Sequence, residues 1–203
     1  MYIPAHFAMT DRDVLHAAIE RYSFALIVSG LGGKLVASHL PLLIERDAGP
    51  HGTLLGHFAR ANPQWREAAG QEVLVVFNGP HVYVSPRWYE AERVVPTWNY
   101  VAVHAYGRLE LSEDAAATKE LLARMVRHYE AGQSQPWDLA AQPADFVERL
   151  AKQIVAFRIP IERIEGKWKL NQNHPQDRRE KVIAALESAG GAEEQAIARL
   201  MRQ

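Results

Sequence analysis

Four short stretches of this chain hold the residue types that chemistry needs. The first is SHLP at 38–41, where a hydroxyl, Ser38, sits next to an imidazole, His39. Neighbours on a strand point to opposite faces, so the two do not form a nucleophile–base dyad with each other. No G-x-S-x-G elbow accompanies them. The second is GHFARANPQW at 56–65. A strand carrying His57 ends there, Arg60 follows, and a helix opens at Asn62. Free N–H groups at a helix start favour an anion, and Arg60 offers a bidentate grip on a phosphate. The alternative is an Arg60 paired with a surface carboxylate and an Asn62 that only caps the helix. The third is PTWNY at 96–100, where Thr97, Trp98 and Asn99 put an aromatic plane between a hydroxyl and an amide. Such a group walls a flat heterocycle and bonds its edge, or it anchors the entrance of a strand. Trp88 and Tyr89 carry the same two readings. The fourth is KWKLNQN at 167–173, which includes Lys169 and Gln172. Two cations and three amides without an acid suit a phosphate or a polar ring edge, or else form a solvated loop.

Other chemistries find less support. The chain has no cysteine, which excludes disulfides, thiolate metal sites and cysteine nucleophiles. Its nine histidines include His39, His57, His81 and His104 on or beside predicted strands, yet none has metal-ligand spacing. They read as core or interface histidines, and no metal is expected. The glycines at 30, 32 and 33 imitate half a dinucleotide fingerprint, but a strand-like segment follows them, so the context fails.

These stretches must be positioned by a globular scaffold. The chain has 203 residues, 48% hydrophobic and 23% charged, which is ordinary globular composition. A net charge of −1 argues against a protein that coats nucleic acid. The local exception is 158–181, with seven Lys/Arg against four Asp/Glu. No apolar stretch reaches the roughly 18 residues of a membrane span, and the start carries no signal-peptide pattern. A cytoplasmic protein without membrane contact is expected.

Periodicity predicts a helix capped by Thr10 with Asp13, then strands over 23–29 and 34–45, broken near Pro41. A turn over 30–33 joins those strands. A strand over 53–58 leads to a brief helix from Asn62. Strands over 72–78 and 81–85 are expected to form a hairpin through Asn78, Gly79 and Pro80. A strand over 100–111 precedes a helix over 113–131 capped by Ser112. A shorter helix opens at Pro143, a strand covers 153–165, a polar loop 166–176, and two helices fill 177–189 and 192–201. Short strands punctuated by helices suggest a small antiparallel barrel.

Taken in order, the stretches at 1–4, 38–41, 56–65, 79–86, 95–100 and 164–173 resemble the PaiB family, described as FMN-binding negative transcriptional regulators. The resemblance runs to about Lys181. It implies a mainly β fold, the FMN-binding split β-barrel of pyridoxamine-phosphate-oxidase type, with peripheral and C-terminal helices. It implies a barrel domain over 1–175 and a helical appendage over 176–203. It implies a homodimer with two FMN sites at the subunit interface. The cofactor set it carries is Ser38, His39, His57, Arg60, Asn62, Thr97, Trp98, Asn99, Lys169 and Gln172, with the phosphate near Arg60 and Asn62. DNA is the partner implied by a regulator, although no helix-turn-helix signature is present, and Arg178 and Arg179 are its basic candidates. The enzymatic alternative is an FMN-dependent oxidoreductase acting on a small molecule, or a haem-handling variant of the same barrel. A third reading is an interaction dimer without cofactor.

Overall fold

Two adjacent glycines set the first hairpin. Gly32 and Gly33 have φ of 53° and 78°, the left-handed pair that a two-residue turn between twisted strands requires. They join β2 (Phe24–Leu31) to β3 (Lys34–Pro41), with Leu31 opposite Lys34 and Phe24 opposite Pro41. Pro41 ends β3 and Leu42 separates it from β4 (Leu43–Glu45). The break is where the sequence puts it. This is a computed structural model, and it describes residues 1–112 and 114–203.

By contacts the chain divides into two compact units. One comprises Met1–Ala18, Phe77–His104 and Glu165–Gln203; the other comprises Ile19–Val76 and Ala105–Ile164. In the second unit, β2 also pairs antiparallel with β6 (Glu72–Val84). A four-stranded antiparallel sheet runs β4, β5 (Thr53–Ala59), β9 (Ile154–Pro160), β8 (Glu110–Leu111). Phe58 and Phe157 meet in its core with ring centroids 4.9 Å apart, and both are buried. The helices of this unit are α2 (Gln64–Ala68), α3 (Ala115–Glu130) and α4 (Ala144–Ala151). α1 (Arg12–Arg21) starts in the first unit and ends in this one.

In the first unit, β1 (Ala8–Met9) pairs antiparallel with β10 (Arg163–Lys169). β6 and β7 (Thr97–Arg108) each run from one unit into the other. The terminal helices α5 (Gln176–Ala189) and α6 (Ala192–Arg202) also lie in the first unit. They meet at Gly190, which ends α5 in the left-handed conformation at φ 74°. The segment 176–203 therefore shares a compact unit with 77–104, and it buries Val182, Leu186, Ile197 and Met201.

The structure departs from the sequence reading at five places. Asp11, not Thr10, caps α1, with its Oδ1 accepting from the N–H groups of Asp13 and Val14. Residues 72–84 are one strand rather than a hairpin. Neither Asn78 nor Gly79 adopts positive φ, so no tight turn forms. Gly79 and Pro80 are both buried, and the inward alternation shifts by one residue between them, as at a bulge. Asp114 caps α3 by accepting from Ala116 N–H, while Ser112 N–H is spent on Ala156 O. Glu113, the expected first helical residue, lies outside the described residues. The strand expected over 153–165 is two strands. Ile161 N–H turns to Gly52 O and Glu162 N–H to Tyr106 O, which breaks the run after Pro160. Finally, 166–169 is the end of β10 rather than loop, with Lys167 and Trp168 buried.

Candidate functional site

The expected cofactor residues fall into two groups, one in each unit. In the second unit, β5 delivers Arg60 to its end. The guanidinium donates from Nε to Lys152 O (2.7 Å) and from Nη2 to Ile154 O (2.8 Å). Those carbonyls lie where α4 passes into β9, so Arg60 is clamped and its remaining N–H groups are free for a ligand. This is neither of the partners considered from sequence. Arg60 lines a cleft of about 500 Å³ with Trp65, Lys119 and Lys152. Ser112, Thr118 and Glu148 contribute the other polar groups, and apolar residues of α3 and β9 form the floor. Glu148, the one carboxylate there, is 3.3 Å from Lys119. Three cations and one acid leave the cleft positive. Trp65 donates its indole N–H to Arg60 O and carries Arg66 on its other side, 4.8 Å from the ring centre.

Beside it, Ser38 and Asn62 form a closed network around Gln64. Asn62 Nδ2 donates to Ser38 Oγ (2.9 Å), and Ser38 Oγ donates to Gln64 Oε1 (2.6 Å). Gln64 Nε2 reaches Ser29 Oγ, Ile27 O and Val36 O at 3.0 to 3.3 Å. Asn62 Oδ1 accepts from Gln64 N–H, so Asn62 does cap. The helix is only five residues long, and Asn62 already occupies the donor at its start. Gln64, 1% exposed, is the centre that sequence reasoning missed; its place just after Asn62–Pro63 was the available signal. His39 is exposed on β3 and stacks on Phe24 (5.8 Å, 22°). His57 faces Ala156 across β5–β9, and its Nδ1 is buried without a partner. Burial holds its pKa below the ordinary 6.5, so it is neutral at pH 7.

In the first unit, Lys169 ends β10 and donates to Thr97 Oγ1 at the start of β7. Burial, with Lys167 nearby, holds the Lys169 pKa below its usual range. The chain then turns through Asn171, whose φ is 61° and whose side chain is 2% exposed. Asn171 Nδ2 donates to Tyr89 Oη at 2.9 Å. Burial raises the Tyr89 pKa, and that hydrogen bond pulls it back in part. His174 stacks on Tyr89 (4.8 Å, 24°). Gln172 closes the turn on itself, donating to Trp168 O and accepting from Leu170 N–H. Trp98 is 52% exposed against Tyr83 and His81. It lines a second cleft of about 540 Å³ with His81, Tyr100 and His104. Asn99 is fully buried instead, donating to Met201 Sδ (3.4 Å), with an Oδ1 that has no partner.

The basic stretch is mostly committed internally. Arg158 pairs with Glu110, Lys181 with Glu90, and Arg179 donates to Met201 O. No group of His, Asp or Glu among the described residues has metal-site geometry, and no helix among them is long and apolar enough to cross a membrane.

A family model described as "Putative FMN-binding domain" matches residues 1–163. The chain is 38% identical over 204 residues to "Protease synthase and sporulation protein PAI 2" of Bacillus subtilis, covering 99% of this chain and 96% of that one. Two solved structures share the fold at 16% identity. A flavocytochrome from Azotobacter vinelandii has a TM-score of 0.64, covering 82% of this chain and 72% of its own. An FAD and heme binding protein from Mycobacterium smegmatis has a TM-score of 0.65, covering 91% and 80%. Among the described residues there are two sheets and six helices, and the fold is the split β-barrel of the pyridoxamine-phosphate-oxidase-like flavoproteins.

Proposed function

The chain belongs to the PaiB-like FMN-binding family, and from that premise we propose that it binds FMN through its phosphate at Arg60 and acts as a flavin-dependent transcriptional regulator. FMN is the family's cofactor. The observation that carries the site is the positive cleft of about 500 Å³ at Arg60. Its volume lies within the roughly 300–1,000 Å³ of small-molecule sites. Clamped on two carbonyls, Arg60 is pre-organised for the fork geometry that a phosphate prefers. Lys119 and Lys152 add charge, and Trp65 adds an apolar plane. Ser38 and His39 flank the flavin from β3. Of the candidates in the first unit, Trp98 is exposed and open to a flat ring, whereas Asn99 is fully buried. Bound FMN supplies one- and two-electron redox chemistry; the protein binds, orients and shields it.

The regulatory part rests on the Bacillus relative, which is similar along nearly its whole length. The cytoplasm is the compartment for such a role. With most cations of 158–181 committed internally, DNA contact rests on few charges, so complex formation should show a shallow salt dependence. The test is a mobility-shift assay on the DNA upstream of its own gene, with and without FMN. A specific complex at moderate salt supports regulation, and its absence in both states contradicts it.

A second reading is a small-molecule oxidoreductase, favoured by the titratable cluster of Tyr89, Lys169 and His174. Reduction of the bound flavin by a reduced nicotinamide or an amine supports it. A Soret shift in a haem titration would instead favour the haem-handling variant.

A further inference from the structure

α4 is held firmly at one end only. Its eight residues are fewer than a helix needs to persist on its own, so its ties to the fold decide whether it forms. None of its residues is buried, and no side chain caps its start at Pro143. Its far end is fastened by the residue that lines the cleft. Arg60 donates from its backbone N–H to Gln153 O (2.7 Å), from Nε to Lys152 O and from Nη2 to Ile154 O. Three consecutive carbonyls just after α4 are thereby fixed to the end of β5. The middle of the helix has a different tie. Glu148 reaches across the cleft to Lys119 of α3 at 3.3 Å, and among the described residues this is the one ion pair that joins the two helices. Both side chains stand in solvent, 55% and 43% exposed, and a pair of this kind holds weakly.

Lys119 therefore faces two uses. Its ammonium is taken by Glu148, yet it lines the same cleft as Arg60 and Lys152. A phosphate dianion brought in at Arg60 competes for that ammonium and wins, because it carries more charge and more acceptor oxygens than one exposed carboxylate. It also repels Glu148, the one carboxylate among the described lining residues. We propose that Glu148 is a built-in competitor for the ligand: it holds Lys119 until the phosphate arrives, and the phosphate displaces it and frees α4 to swing on a hinge at 152–154. The hinge stays in place, since Arg60 keeps its three hydrogen bonds while its remaining N–H groups take the phosphate. The segment that swings carries Phe146, Val147 and Leu150, the last already 41% exposed. Occupancy of a small-molecule site thus becomes a change in an apolar surface, which a regulator can pass to a partner. This inference deepens the reading that the FMN phosphate belongs to Arg60, and it rests on that reading.

The test is amide hydrogen exchange of the full chain, read by mass spectrometry without ligand, with FMN and with riboflavin. FMN should speed exchange over 147–151 about two- to fivefold while β9 keeps its protection. Riboflavin, which lacks the phosphate, should leave both unchanged. Glu148→Gln, at an exposed helix position, should exchange at the faster rate without ligand and respond little to FMN. It should also bind FMN about two- to fivefold more tightly, with riboflavin affinity unmoved. Lys119→Met should exchange fast as well, but bind FMN more weakly. Affinity that rises in one variant and falls in the other is a result that loss of helix packing alone does not give. Exchange over 147–151 that is unchanged or slower with FMN overturns the proposal, and so does FMN affinity indifferent to Glu148→Gln. Failure of the Arg60 reading is seen separately, as equal affinity for FMN and riboflavin in the wild type or as FMN affinity unchanged in Arg60→Ala.

Discussion

Gln64 shows how far one side chain can hold a site in place. Its amide reaches strands β2 and β3 while its carbonyl oxygen takes Ser38. Gln64→Leu keeps the volume but strands Ser29 and Ser38, so urea denaturation should report a loss of about 1–3 kcal/mol. His57 makes a pH prediction. Its folded pKa lies below the unfolded value near 6.5, so the unfolded chain takes up the proton first. Its contribution is therefore intact above pH 6.5 and falls as pH drops from there toward the folded pKa. Calorimetry should show Tm declining over that window, with a shallower slope in His57→Gln. At this scale the sequence was informative about which residues matter and silent about what they touch. Arg60 was recognisable from its motif. Its carbonyl partners lie 92 and 94 residues away, beyond any local pattern.

Among the elements, hydrophobic period and glycine placement carried most of the legible information. The Gly32–Gly33 hairpin, the break at Pro41, and the two terminal helices follow from local chemistry. The strand over 72–84 did not, because Asn–Gly–Pro is a turn signal only when the backbone takes positive φ. Here neighbouring strands keep it extended. Gly107 of β7 makes the prediction at this scale. A Cβ there would stand 2.1 Å from Pro160 O, a main-chain atom on β9. Gly107→Ala must push two strands apart, and thermal melting should show a loss of about 1–3 kcal/mol. Gly30→Ala, whose Cβ meets nothing within 4 Å, is the control that should melt close to the wild type.

For the whole molecule, the family and its fold were legible because the motifs recur in order along nearly the full chain. The clustering of 176–203 with 77–104 was not, since it depends on long-range burial. Asn99 and Met201, 102 residues apart, meet in the first unit. A chain ending at 175 loses α5, which packs against the turn at Pro86–Tyr89, and it should lose cooperative unfolding in calorimetry. The proposed homodimer is checked by sedimentation equilibrium with and without FMN. A dimeric mass supports it, and a monomer at both conditions contradicts it. The central claim, that Arg60 grips the FMN phosphate, is tested most directly by fluorescence titration of FMN and riboflavin against wild type and Arg60→Ala. The account predicts that wild type prefers FMN by about 10–100-fold and that folded Arg60→Ala loses most of this preference. Equal affinity for the two flavins, or a preference untouched by the substitution, would contradict it.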